Sequence, residues 1–104
     1  MTPEEAAARS DLRILDVREP DEWQAGHIAG AQHIPLGELR ERLAEVPKDR
    51  TVLAVCRSGS RSEAATRGLR ALGYSAENLE GGVTAWKRAG LPLEAEGGGP
   101  GRVI

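Results

Sequence analysis

The sequence predicts an α/β fold, a parallel sheet covered by helices on both faces, and three observations predict it. Strand-like and helix-like segments alternate along the chain, as in strand–helix–strand units. Thr51-Val52-Leu53-Ala54-Val55 is a nearly continuous apolar run, as expected of a strand with no wet face. The 104 residues suffice for one domain with a buried core and fall short of two.

Each element has a local reason. Thr2-Pro3-Glu4-Glu5 offers an N-cap, a proline at the first helical position and a glutamate at the third, predicting a short helix over residues 3–9. Leu12 to Val17 reads as a strand, apolar at 12, 14, 15 and 17. Glu19-Pro20-Asp21-Glu22-Trp23 opens a second short helix that Gly26 ends, and a brief strand falls over 31–34. Leu36, Leu39, Leu43 and Val46 recur at helical spacing with charges between them, predicting an amphipathic helix over 36–46. Ser62 to Leu72 is helical, with Ala65, Leu69 and Leu72 on one face and Gly73 as its stop. Asn78-Leu79 makes a short strand and Val83 to Ala89 a last helix. Glu96-Gly97-Gly98-Gly99-Pro100-Gly101 has little to pack, so residues 95–104 read as a flexible tail after a domain over 1–94.

Composition excludes several classes of function. Apolar residues make up 39% with no Phe, leaving Leu, Val, Ile and Ala to fill the core. One cysteine cannot form an internal disulfide, and two histidines beside it make no zinc set. A net charge of -2 gives no basic footprint for nucleic acid. No apolar run approaches the roughly 20 residues of a membrane span, and Thr2 to Arg9 lacks the order of a signal peptide. The expectation is a soluble, cytoplasmic domain with no metal or other cofactor and neither nucleic acid nor membrane as partner.

In parallel sheets ligands bind at the carboxyl ends of strands, which directs attention to Cys56-Arg57-Ser58-Gly59-Ser60-Arg61-Ser62. Ser60 and Glu63 have capping-box spacing, which would start the helix at the loop. Unpaired amides and the helix dipole there favour negative charge, and Arg57 and Arg61 add to it. Comparable settings lower a cysteine pKa from about 8.5 to roughly 3.5–7.5. Gly59 lets the backbone curl, and Ser58 and Ser60 add hydroxyl donors. A buried structural cysteine would not ordinarily be followed by two arginines and two serines. The segment therefore reads as a nucleophile, Cys56, inside an anion-binding cradle of Arg57, Ser58, Gly59, Ser60 and Arg61.

This loop resembles the active-site loop of the rhodanese-like sulfurtransferases. Asp16-Val17-Arg18, Glu22-Trp23 and Gly26-His27-Ile28-Ala29-Gly30-Ala31-Gln32-His33-Ile34-Pro35 are similar to the family's signature before the loop. Leu79-Glu80-Gly81-Gly82-Val83 with Trp86, Gly90 and Pro92 is similar to its C-terminal signature. The resemblance implies a single-domain rhodanese-like fold with a sheet of about five strands. It also implies a reaction: Cys56 takes the outer sulfur of a small anionic donor such as thiosulfate, holds it as a persulfide, and yields it to cyanide or a thiol. A module that relays the persulfide to a partner protein would need the same loop. Related phosphatases and arsenate reductases place five residues between cysteine and arginine; here four separate Cys56 from Arg61, and Ser62 stands where their arginine would be.

Other residues have plainer readings. Asp16 and Arg18, at the end of the first strand, read either as an ion pair or as support for the cysteine loop. His27 and His33 are expected to make structural hydrogen bonds and Trp23 and Trp86 to pack. Gly81-Gly82 is a tight strand-to-helix turn, and Glu38-Leu39-Arg40-Glu41-Arg42 a solvated face with paired charges.

Overall fold

The computed structural model describes all 104 residues. Four parallel strands, β1 (Arg13–Asp16), β2 (Gln32–His33), β3 (Val52–Val55) and β4 (Ala76–Asn78), form one sheet in the order β2-β1-β3-β4. The helices are α1 (Pro3–Ala7), α2 (Pro20–Ala25), α3 (Ser60–Ala71) and α4 (Gly82–Arg88). The α/β reading stands, with four strands against an expected five or so. The order places β1 and β3 side by side while the chain leaves them toward opposite edges. Their carboxyl ends, where the chain diverges, are the usual ligand site of such sheets.

Alternation along β3 explains the two-sided core. Val52 and Ala54 join Leu15, Val17, Ala65 and Leu69 on the face under α3, while Leu53 and Val55 join Ala6, Val83 and Trp86 on the face under α1 and α4. All four β3 side chains are buried, so a charge anywhere along the strand would enter one core or the other.

Local signals set most element ends. The Thr2 hydroxyl accepts from Glu5 N at 3.1 Å and Glu5 Oε1 accepts from Thr2 N at 2.8 Å, the reciprocal cap that starts α1. The capping box expected from Ser60 does not form. Gly59, at φ 111°, is the N-cap of α3, its carbonyl accepts from Glu63 N at 3.0 Å, and Ser60 is already helical. A left-handed backbone turn is open to glycine at little cost, so the helix begins two residues before the predicted Ser62.

The predicted helix over 36–46 is instead two 3₁₀ turns, Leu36–Glu38 and Leu43–Glu45. Leu39 N donates to Leu36 O at 3.2 Å and Val46 N to Leu43 O at 3.0 Å. Leu39 and Val46 still reach the core, with Leu36 and Leu43 packed against it. Gly37 weakens a helix here, and Pro47 disfavours helical backbone at Val46.

The segment expected as a free tail folds back instead. Gly101 N donates to Leu93 O at 2.8 Å and Arg102 N to Ala25 O at 2.9 Å. Gly97, Gly98 and Gly99 all have positive φ and reverse the chain, and Glu94 makes antiparallel bridges to His27 and Pro100. Backbone hydrogen bonds supply what the absent side chains do not. No helix is long and apolar enough to cross a membrane.

Candidate functional site

Cys56 follows the last residue of β3 and is 1% exposed. The chain turns over it through Arg57 and Ser58 before Gly59 opens α3. That turn aims donors at the sulfur: Gly59 N lies 3.0 Å from Sγ and the Ser62 hydroxyl 3.3 Å. Burial pushes the thiol pKa up, but the Ser62 hydroxyl and the amides of Ser62, Gly59 and Ser58 outweigh it, and the thiol lies below its ordinary value. The lowering comes from these hydrogen-bond donors.

The loop is held from behind by α4. Val83 N donates to Cys56 O at 2.9 Å and Thr84 N to Arg57 O at 3.1 Å. Gly82 makes this approach feasible: at φ 61°, a Cβ there would overlap the Cys56 and Arg57 carbonyls. The Gly81-Gly82 turn therefore has a second purpose beyond its tightness.

Of the predicted cradle residues, the structure turns the Gly59 and Ser58 amides to the sulfur and directs the side chains of the others away from it. Ser58 and Ser60 are exposed on the rim. Arg57 is exposed, its Nε donating to Ile104 O at 2.9 Å. Arg61 is half-buried and tied to Glu22 by two hydrogen bonds, 2.8 and 2.9 Å.

Three neighbours escaped the sequence reading as site residues. Ser62 faces the sulfur from the first turn of α3. Asn78, at the end of β4, accepts from Ser62 Oγ at 2.5 Å and donates through Nδ2 to Gly59 O at 3.1 Å and Glu63 Oε2 at 3.2 Å. Two acceptors around Nδ2 fix the amide's orientation, so Asn78 Oδ1 and the sulfur compete for the single Ser62 hydroxyl proton, and a negative charge on the sulfur draws that proton toward Sγ. Glu22 belongs in sequence to a helix start and a family signature, and nothing local ties it to Arg61. A polar residue directly after an anion loop is a usable signal for Ser62; nothing local in the sequence marks Asn78.

Asp16 and Arg18 combine both readings offered for them. The pair is buried, with Arg18 Nη2 2.7 Å from Asp16 Oδ2 and both side chains at most 1% exposed. Arg18 also donates to Gly26 O at 2.7 Å and Glu22 O at 3.2 Å, fastening α2 to the end of β1. That helix presents the Glu22 carboxylate to Arg61. The histidines stay structural: His27 Nδ1 lies 2.8 Å from Trp23 O, His33 Nε2 lies 2.7 Å from Arg18 O, and both rings stack on Trp23. Trp86, buried under the second core, donates to Pro92 O at 2.9 Å.

Residues 2–89 match the model of the rhodanese-like domain. A sulfurtransferase from Allochromatium vinosum is 42% identical over 93 residues, covering 88% of this chain and 87% of that protein. An HTH-type transcriptional regulator from Mycobacterium tuberculosis is 40% identical over 104 residues, covering 89% of this chain; the match spans only 46% of the regulator. The crystal structure of a rhodanese-related protein from Thermoplasma volcanium superposes with a TM-score of 0.87 at 34% identity, over 89% of this chain and 94% of that one.

Proposed function

The chain belongs to the rhodanese-like domain family, and on that footing we propose that it is a sulfurtransferase working through a persulfide on Cys56, with thiosulfate or a similar small anion as donor. The Cys56 thiolate attacks the outer sulfur of thiosulfate. The Sγ–S bond forms, the bond between the two donor sulfurs breaks, and sulfite leaves with the electron pair. The Gly59 amide and Ser62 hydroxyl that stabilise the thiolate are placed to accept the anionic persulfide as well. Arg61, oriented by its ion pair with Glu22, offers guanidinium donors to the anionic donor, and Arg57 offers a second, more exposed guanidinium. In the second half-reaction cyanide or a thiol removes the outer sulfur and restores the thiolate.

The observation that carries this reading is the ring of donors around a sulfur at the carboxyl end of β3. Two further features favour sulfur over phosphoryl chemistry. Four residues separate Cys56 from Arg61, and a hydroxyl, from Ser62, occupies the position where a longer loop needs a guanidinium. The test is steady-state kinetics with thiosulfate and cyanide both varied. Parallel double-reciprocal lines for thiocyanate, reduced to background in Cys56→Ser, are expected. Intersecting lines, or undiminished turnover by the serine variant, would overturn it.

A further inference from the structure

Ser62 Oγ carries one proton and faces three acceptors. Asn78 Oδ1 lies 2.5 Å away, and Cys56 Sγ and Gly59 O lie 3.3 Å away. Ser62 is fully buried, so water does not compete, and rotation about the hydroxyl bond decides where the proton goes. Beside a neutral thiol, the short bond to the Asn78 amide oxygen wins. Beside a thiolate the proton turns to Sγ, because a charge-assisted hydrogen bond is roughly twice as strong as a neutral one. Asn78 Oδ1 then faces an oxygen lone pair. Within one chain of hydrogen bonds, Ser62 favours the charged sulfur and Asn78 the uncharged one.

Asn78 cannot turn out of this contest. It sits in register with Ala54 of β3, two residues before the cysteine, and the next amide, Leu79 N, donates to Ala54 O at 3.0 Å. Its Nδ2 is claimed by Gly59 O at 3.1 Å and Glu63 Oε2 at 3.2 Å. The other Glu63 oxygen accepts from Arg67 Nε at 3.2 Å. A flipped amide would set Oδ1 against a carbonyl and a carboxylate, so the oxygen stays on Ser62 in either state of the sulfur. The charged groups nearest this chain are Glu63 and Arg61 of α3, with Asp16 at the end of β1 acting on Arg61. All three are present whether Asn78 or Ser62 is replaced, so they do not create a difference between such variants.

We propose that Asn78 is a positioning residue that holds the Ser62 hydroxyl proton while the Cys56 sulfur is a thiol and releases it when the sulfur ionises, so that the thiolate forms without being bound too tightly to react. The more strongly a thiolate is stabilised, the weaker it is as a nucleophile and the better it is as a leaving group. Asn78, by competing for the proton, tilts Cys56 toward taking up sulfur and away from giving it up. Its effect on the ionisation of Cys56 stands on the geometry alone. Its effect on the two transfer steps rests on the persulfide reaction proposed above.

The test begins with the thiol titration of Asn78→Leu, followed by thiolate absorbance. The pKa should fall below that of wild type, opposite in sign to the effect of losing the Ser62 hydroxyl, and Asn78→Leu should change nothing further in a Ser62→Ala background. A rise, or the same shift in both backgrounds, overturns the proposal, since a loop merely loosened by the substitution would behave that way. A second measurement needs no Asn78 variant: by NMR, the Asn78 side-chain amide signals of wild type should move with the Cys56 titration, and much less in Ser62→Ala. Signals that ignore the titration overturn it as well. The transfer steps are then read by intact mass at a pH where the sulfur is ionised in both proteins. Asn78→Leu should take sulfur from thiosulfate about two- to threefold more slowly and yield it to cyanide about two- to threefold faster. Slowing of both steps would show a purely structural residue and overturn the proposal. Failure of wild type to take up sulfur would sink the persulfide reading, and the two titrations would then decide the assignment of Asn78 by themselves.

Discussion

The Glu22 carboxylate accepts two parallel hydrogen bonds from the Arg61 guanidinium, at 2.8 and 2.9 Å, tying α2 to the first turn of the helix that follows the cysteine loop. Arg61 lowers the Glu22 pKa most, burial opposes it, and the Glu19 amide with the charges of Arg61 and Arg18 completes a shift to about 2. A depressed carboxylate stabilises the fold above its unfolded pKa, near 4.5, and that stability is lost as pH falls toward about 2. Arg61 is about one-third exposed, so screening holds the pair's worth to about 1 kcal/mol. Glu22→Gln should therefore lose about 1 kcal/mol in urea unfolding at neutral pH and little near pH 2. It should also raise the KM for thiosulfate, because Arg61 is no longer held in place.

Ser62→Ala removes a donor from Cys56. The thiol pKa should rise, measured as thiolate absorbance near 240 nm against pH, and the alkaline shift should reappear in the pH profile of iodoacetamide labelling. A hydrogen bond to a charged group contributes about 1.5–3 kcal/mol, enough for the rise to be resolved in both titrations. Ser62→Thr keeps the hydroxyl and should restore most of the shift. A purely structural role for Ser62 would lower stability and leave the thiol titration in place.

The Asp16–Arg18 pair should behave as a buried ion pair. Arg18→Met leaves Asp16 charged and unpaired, at a cost of about 3–5 kcal/mol in chemical denaturation. Adding Asp16→Leu should recover part of that loss, since the stranded charge is gone. Equal losses in the single and double variants would show that the bonds from Arg18 to the Gly26 and Glu22 carbonyls dominate.

Gly82→Ala places a methyl group on the Cys56 and Arg57 carbonyls in a left-handed backbone region. The loop must move off α4, and sulfur transfer should fall by at least about 100-fold, as expected when a reacting group is displaced by about 1 Å. Gly90→Ala is the control: its Cβ meets nothing within 4 Å, although its φ of 81° carries the same backbone penalty. Stability should drop in both variants, but activity per folded molecule only in the first.

The fold class was legible because β3 is apolar along its whole length and glycine or proline punctuates most elements. Periodicity misled over 36–46: Leu36, Leu39, Leu43 and Val46 do face the core, but paired 3₁₀ turns deliver the same contacts as a helix. In the tail, glycine composition hid backbone pairing with residues 25 and 93 that no side chain announces. Cys56 could be found because a nucleophile and its amides lie close in sequence. Asn78 and Glu22 could not, since their roles depend on contacts with α3 across 15 to 39 positions.

The most direct measurement is the intact mass of the protein after incubation with thiosulfate and removal of excess donor. A gain of one sulfur atom on wild type, absent in Cys56→Ser and reversed by cyanide, is the predicted result. An unchanged wild-type mass, or the same gain in the serine variant, would contradict a reaction carried on the Cys56 sulfur.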